Sequence, residues 1–338
     1  MKPKSKNARE TQVKEKQTAY EVRKKVRRDL VEEVKSLQKE LGQLKFRLLV
    51  EQGEVLKATK RAETENDVLF DCIRKQHLVR AALQAALTEN AQRNLNALQP
   101  VQSLICLGAD PVERFNTLLA LKERQLDNAE RYLGARSHGL GPESTYCQDE
   151  CFDSDEGDYC FVRFETVPVQ GAHVKEVFDA VLDAILNQEI ILSEMFGCVA
   201  IREDNDFETS EFTQLRLVTA TSADTTVESN TLLFARFSDG MDDGKGGYGV
   251  LVSDFVNSDA LYPYRTNERV RRDGTTIVTV RSLSSDIVFV TRWTCLKIHH
   301  SLSRDAETEM KESSVCWGDT SKRFIEQQLV HTSTSPSL

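Results

Sequence analysis

Cys160-Phe161-Val162-Arg163-Phe164-Glu165-Thr166 is the stretch on which the fold turns. Upstream of it, apolar residues recur at helical spacing. Within it, Cys160, Val162, Phe164 and Thr166 alternate with Arg163 and Glu165, the period of a half-buried strand. Working outward, a broad apolar face of Val174, Val177, Phe178, Val181, Leu182, Ile185 and Leu186 predicts a helix over 172–187, and a short helical piece follows at 190–195. Six strands are then expected in succession, at 196–203, 212–220, 231–237, 248–256, 275–282 and 286–299. Acidic, Gly-rich and Ser-rich turns separate them, as at Asp273-Gly274. In the last strand Ile287, Phe289, Trp293 and Cys295 share one face while Leu296 and Ile298 take the other parity, which leaves a bulge or a second buried face open. A closing helix over 306–330 carries Met310, Trp317 and Phe324 spaced by seven.

Strands gathered in one run, with helices before and after, imply an antiparallel sheet and an α+β class. In element order the segment resembles the helix-grip fold of START-like and Bet v 1-like domains. That resemblance implies an apolar ligand held between sheet and helix, with Phe178, Phe234, Trp293, Trp317 and Phe324 as candidate cavity residues; ordinary core packing is the alternative for each.

Residues 1–98 contain no proline after Pro3 and two glycines, Gly42 and Gly53, a helical composition. A heptad places Leu30, Leu37 and Leu44 at d and Val34, Leu41, Leu48 and Val55 at a, the seam of a short parallel coiled coil. Glu40 at g faces Lys45 at the following e position of a partner, which favours a homodimer over an amphipathic helix packed on its own domain. A weaker stripe of Leu69, Ile73, Leu83 and Leu87 follows, and a further helix is expected over 112–133 with Gly134 as its stop.

The 338 residues carry a net charge of −9, yet residues 1–30 hold eleven Lys/Arg against four Asp/Glu, a +7 head on a body of −16. Arg23, Lys24, Lys25, Arg27 and Arg28 stand just before the seam, with Lys14 and Lys16 upstream, the layout by which basic-zipper helices neutralise DNA phosphates. Base reading is weaker: with Leu37 as first zipper leucine, the usual Arg falls at Arg27 but the usual Asn position is Ala19. A localisation patch or a solvated charged face is the plainer reading.

The run Arg23-Lys24-Lys25-Val26-Arg27 resembles the divergent basic-zipper segments of oomycetes. Ser258-Asp-Ala-Leu-Tyr-Pro-Tyr-Arg265, Glu268-Arg-Val-Arg-Arg-Asp273 and Cys316-Trp-Gly-Asp319 are similar to an oomycete family in which a basic coiled coil is joined to a START-like domain. The resemblance implies a dimeric DNA-binding regulator, nuclear or cytoplasmic, with a ligand-sensing or partner-binding domain. The alternative is a lipid or small apolar ligand-binding module that uses its coiled coil only to dimerise or dock. Boundaries are expected at 1–30 (basic region), 31–98 (coiled coil and helical extension), 99–135 (helical connector), 136–158 (acidic Gly/Ser-rich linker), 159–331 (α+β domain) and 332–338 (tail).

No apolar run approaches the roughly 18 residues of a membrane span, and eight scattered cysteines read as free thiols of a reducing compartment. No enzyme signature stands out. Cys147, Cys151 and Cys160 near His138 lack a second pair for zinc, the acidic run from Asp153 lacks the Gly and Glu of a calcium loop, and the Gly240–Gly249 run lacks Walker spacing. No cofactor is expected. Arg265, Arg269, Arg271 and Arg272 form a second basic cluster, read as a surface turn, with contact to an anionic ligand or nucleic acid as the alternative.

Overall fold

The computed structural model describes residues 6–88, 104–141, 145–154, 156–196, 198–203, 211–222, 225–240, 247–283, 287–299 and 304–334. The chain divides into two units, Met1–Asp71 and Cys72–Leu338. Helix α1 (Lys6–Thr88) supplies the described part of the first unit and the opening turns of the second.

In the first unit the seam residues Leu30, Val34, Leu37, Leu41 and Leu44 are 51–57% exposed. Lys24, Lys25 and Arg27 are exposed as well. The side chains of Lys14, Lys16, Arg23, Arg28, Leu48 and Val55 lie outside the described residues.

The second unit is built on one eight-stranded sheet. Its strands are β2 (Tyr146–Asp153), β3 (Tyr159–Gln170), β4 (Val199–Arg202), β5 (Thr213–Ala220), β6 (Thr226–Ser238), β7 (Tyr248–Phe255), β9 (Val270–Ser282) and β10 (Ile287–Ile298). They lie in the order β2-β3-β10-β9-β7-β6-β5-β4. Leaving β8 aside, the strands from β4 to β10 neighbour each other in chain order and their main ladders are antiparallel. Past the end of β7, Val227 and Glu228 of β6 meet Val270 and Arg271 of β9 directly, in parallel. A separate two-residue ladder joins β1 (Cys106–Leu107) to β8 (Ser258–Asp259).

Helix α2 (Pro111–Arg136) covers one face of this sheet. Asp110 starts it by accepting the Glu113 backbone N–H at 2.8 Å, and Pro111 fits the first turn. Leu118, Leu121, Leu126, Ala129 and Leu133 pack on Val162, Phe164, Leu232, Phe234, Val250, Val252, Ile277 and Trp293. Each fully buried side chain of this size contributes about 1.5–3 kcal/mol. Arg114, wholly buried, fastens the helix: its Nη1 and Nη2 donate to Asp259 Oδ1 and Oδ2 at 2.7 and 3.0 Å. Burial pushes the Asp259 carboxyl upward, but hydrogen bonds from Arg114 and Gln214 outweigh it and hold it below the ordinary range.

Across the other face lie α3 (Val174–Leu186), α4 (Gln188–Phe196) and α5 (Arg304–Thr334). Val177, Phe178, Val181 and Ile185 of α3 bury against Leu215, Leu233, Leu251, Val278, Val280 and Val288, with Ile325 and Leu329 of α5 alongside. The class is α+β, and the long C-terminal helix lies in the grip of the antiparallel sheet, as the element order predicts.

Several expectations are corrected. Within the stretch expected as a helical connector, α2 packs as a layer on one face of the sheet. The acidic linker contains edge strand β2, paired residue for residue with β3. Its charges are only partly solvated: Asp153 and Glu156 are exposed, but Asp149, Glu150 and Asp158 are buried, and Asp149 and Asp158 meet Arg80 and Lys297 at 2.9 and 2.8 Å. Strand β10 keeps unbroken register with both neighbours, so its mixed parity reflects two buried faces and no bulge. Gly134 does not stop α2, which runs on to Arg136 and is closed by Ser137 Oγ donating to the Leu133 carbonyl at 2.6 Å. In α1, Leu69, Ile73 and Leu83 are exposed, and the small Ala81 and Ala85 form the buried side instead.

Candidate functional site

Strand alternation gives the two faces of the sheet different chemistry. Towards α2, even-numbered residues of β3, β6 and β7 and odd-numbered ones of β9 and β10 supply Val162, Phe164, Leu232, Phe234, Val250, Val252, Ile277 and Trp293, with the polar Asp254 and Thr275 hydrogen-bonded to each other and Asp254 also to Gln125, and that side is filled. Towards α4 and α5, the parity brings up Ser229, Thr231, Ser253, Arg272, Gly274, Thr276, Thr294 and Leu296, and that side is hollow.

Three spaces follow one another along the concave side of β10. Near Val290 and Arg292, a cavity of about 490 Å³ is walled by Val167, Val169, Val181, Val278, Ile325 and Leu329. Near Thr294 and Leu296 lies a recess of about 60 Å³, lined by hydroxyls together with Leu192 and Trp317. Near Ile298, a chamber of about 480 Å³ is bounded by Leu192, Thr219, Val227, Arg272, Glu309 and Met310. Recess and chamber share Leu192, Arg272, Ser313 and Ser314. The two larger volumes fall within the roughly 300–1,000 Å³ typical of small-molecule sites.

An ionic bar stands between the first cavity and the recess. Arg163 reaches Glu165 at 3.0 Å, Asp149 at 3.6 Å and Asp319 of α5 at 2.7 Å. Arg292 pairs with Glu165 and donates to Ser321 Oγ and the Gly318 carbonyl, at 2.6 and 3.0 Å. Burial opposes the charge on Arg163, but Glu165 and Asp149 outweigh it and hold its pKa above the ordinary value. Gly318 makes room for this bar: a Cβ there would sit 2.3 Å from Arg163 Nη1. The bar ties α5 to the sheet and so holds the roof of the hollow in place.

No protein-family model and no curated protein sequence matches the chain. Among solved structures it is similar to the human StAR-related lipid transfer protein 5, at 12% identity and TM-score 0.40 over 62% of this chain and 98% of that one. It is also similar to the lipid transfer and protein localization domain of human StarD13, at 14% identity and TM-score 0.31 over 62% and 97%. A STAR-related lipid transfer protein from Xanthomonas axonopodis gives 14% and 0.32, over 54% and 98%. At these TM-scores the likenesses carry no weight for function, which is argued from the cavities alone.

The five aromatic residues singled out from sequence do not gather in one place. Phe234 and Trp293 lie on the filled face, where Tyr132 of α2 meets Trp293 edge-on at 5.6 Å. Phe178 packs in the core beneath α3, against Phe237 at 5.1 Å. Trp317 lines the recess, and Phe324 is half-buried on α5. The second basic cluster also disperses. Arg265 is exposed, Arg269 pairs with Glu203 at 2.9 Å, Arg271 with Asp273 at 2.7 Å, and Arg272 turns to the hollow. Sequence reading missed the hydroxyls and Arg272 as one group. The available signal was parity: stepping back by twos along β9 from Val280 and Val278 leads to Thr276, Gly274 and Arg272.

All eight cysteines are free thiols. Burial pushes Cys151 and Cys160 up to about 11, which keeps them protonated and unreactive at neutral pH. Among the described residues no group of three His, Cys, Asp or Glu is placed to hold a metal ion. No described helix is long and apolar enough to cross a membrane.

Proposed function

We propose that Cys72–Leu338 is a START-like binding module that takes a lipid-sized amphiphilic molecule into the hollow between the sheet and α5, in a binding and not a catalytic role. The observation that carries this reading is the contrast between the two faces. One is packed solid under α2, and the other retains spaces of about 490 and 480 Å³. Both spaces open to solvent and fall in the size range of small-molecule sites, so they can admit a ligand from water.

The test uses the full chain, purified from cells and extracted with organic solvent. Mass spectrometry of the extract should find a stoichiometric lipid, and the delipidated protein should take a fluorescent fatty acid from solution. A protein that yields no lipid and takes up none overturns the reading.

Helix α1 adds a second component. Five apolar seam positions stand 51–57% exposed in register, and Glu40 and Lys45 are placed to pair between parallel copies, which supports self-association through this helix. The DNA-binding regulator reading rests on the exposed Lys24, Lys25 and Arg27 ahead of the seam. Salt-sensitive binding to duplex DNA, lost when these three become Gln, supports it; no binding at low salt removes it and leaves the helix as a dimerisation or docking element.

A further inference from the structure

Arg272 is set apart from the arginines of the ionic bar. Arg163 and Arg292 each meet a carboxylate within 3.0 Å. Arg272 sits opposite Ile298 in the register of β9 with β10 and lines both the chamber and the recess. Among the described residues it makes no ion pair and no side-chain hydrogen bond. Glu309 and Glu312 border the chamber too, but Glu309 is engaged elsewhere: it accepts from Ser222 N at 2.9 and 3.0 Å and from Ser222 Oγ at 2.6 Å. Arg272 is half-buried in the wall of the hollow, and desolvation pulls its pKa below the ordinary value. Its guanidinium stays open to the chamber and is free to meet an anion there.

Around Arg272 stand further unused polar groups. Ser229 and Ser253 line the recess at 8% and 5% exposure, and neither hydroxyl has a partner among the described residues. Thr219 Oγ1, in the chamber wall, is buried and likewise unpartnered. A planar guanidinium donates two parallel hydrogen bonds and matches the oxygens of a carboxylate or phosphate, while hydroxyls complete the shell of such an anion. Leu192, Val227, Ile298 and Met310 supply an apolar wall beside it.

We propose that Arg272 anchors the oxyanion headgroup of an amphiphilic ligand, with Ser229 and Ser253 as accessory donors and the apolar chain lying along Leu192, Val227, Ile298 and Met310. This rests on the binding-module reading above and specifies its ligand class. A carboxylate and a phosphate monoester share the required chemistry, and the test separates them.

The experiment titrates the delipidated full chain by calorimetry with oleate, oleyl phosphate and methyl oleate. The anchor requires that one of the two anions bind at least ten-fold tighter than the neutral ester; whichever binds tighter identifies the headgroup. Arg272→Met should remove that preference by weakening the anion at least ten-fold while leaving methyl oleate unchanged, and Arg272→Lys should retain part of it. The acid-against-ester comparison needs no variant, so a poorly folding Arg272→Met does not blunt the test. Equal binding of acid and ester by the wild type overturns the anchor and leaves the binding module standing, as does an Arg272→Met protein that keeps the preference. Failure of all three probes to bind overturns the module and the anchor together.

Discussion

Arg163→Met is the most searching perturbation of the architecture, because it removes the centre of the bar that holds α5 over the hollow. The guanidinium meets Glu165, Asp149 and Asp319, and its Nη1 also donates to the Val315 carbonyl at 3.4 Å. Asp149 is 1% exposed and Glu165 8%, so after substitution two buried carboxylates remain, each with one cation: Arg80 for Asp149 and Arg292 for Glu165. Removing one member of a buried ionic group costs about 3–5 kcal/mol, mostly the penalty on the charges left behind. For a unit of this size that corresponds to a fall in Tm of about 6–20 °C. Asp319 is 46% exposed, so Asp319→Asn breaks the same link from its wet side and should cost at most about 1 kcal/mol. The two variants together should fall short of additivity, since they share a contact. Urea denaturation monitored by circular dichroism gives the energies, and hydrogen exchange over 313–321 reports whether α5 lifts. An Arg163→Met protein within 1 kcal/mol of wild type, with unchanged exchange in α5, would refute the assignment of the bar as what fixes the roof.

Asp254 is buried and its carboxyl pushed up from 3.8 to about 7, chiefly by desolvation, despite hydrogen bonds from Thr275 at 2.7 Å and Gln125 at 3.1 Å. Because the folded form holds its proton more tightly than the unfolded chain, this group lowers stability as pH rises from about 4 to about 7, by at most about 4 kcal/mol. Asp254→Asn, whose amide can reach the unpartnered Gln125 Oε1, should flatten that decline; equal pH–stability curves for the two proteins count against it. Gly249→Ala would place a Cβ 2.2 Å from Phe178 Cδ2 and should cost about 1–3 kcal/mol, most of it recovered in a second variant that shortens Phe178 to Leu, as read by thermal melts. Leu37→Asp with Leu41→Asp should convert a sedimenting dimer into a monomer while leaving the Tm of the Cys72–Leu338 unit in place; a monomeric wild type at 50–100 times lower concentration than the assay needs would be uninformative, so the measurement is made at about 50 µM, where a monomeric wild type refutes the seam.

What could be read from sequence, and what could not, follows from whether the cause is local. Alternation and helical spacing are local, so β3, β5, β7 and the helices α3 and α5 are visible within a few residues of their ends. The acidic stretch around Asp149 hid a strand because its compensating cations come from far away: Arg163 lies across the β2–β3 ladder, and Arg80 is on α1, 69 positions upstream. The packed side of α1 was hidden for another reason. Close approach there selects Ala81 and Ala85, which have almost no hydrophobic signal, while the conspicuous leucines face outward. Aromatic content misled the cavity reading in the same way, since Phe234 and Trp293 are used to fill the face under α2.

The residues that make the hollow are conspicuous only once both faces of the sheet are compared. Beneath α3, β6, β7 and β9 present Leu233, Leu251, Val278 and Val280, and the concave side is packed. A few residues earlier on β6 and β9, and later on β7, the same parity presents Ser229, Thr231, Ser253, Gly274 and Thr276, and α5 answers with Ser313 and Ser314. A sheet that needed only a core there would continue the Leu and Val pattern, because each buried hydroxyl without a partner costs about 1–3 kcal/mol and each missing methyl loses packing besides. Ser313 and Ser314 offset their cost by donating to the Met310 carbonyl at 3.0 and 2.7 Å, but among the described residues Ser229 and Ser253 have no hydrogen-bond partner and Arg272 has no counter-charge. The stretch is destabilising as a core and coherent as a receptor. That asymmetry, within single strands that otherwise pack well, is the physical reason for placing the ligand at the Ser229–Ser253–Arg272 end of the sheet.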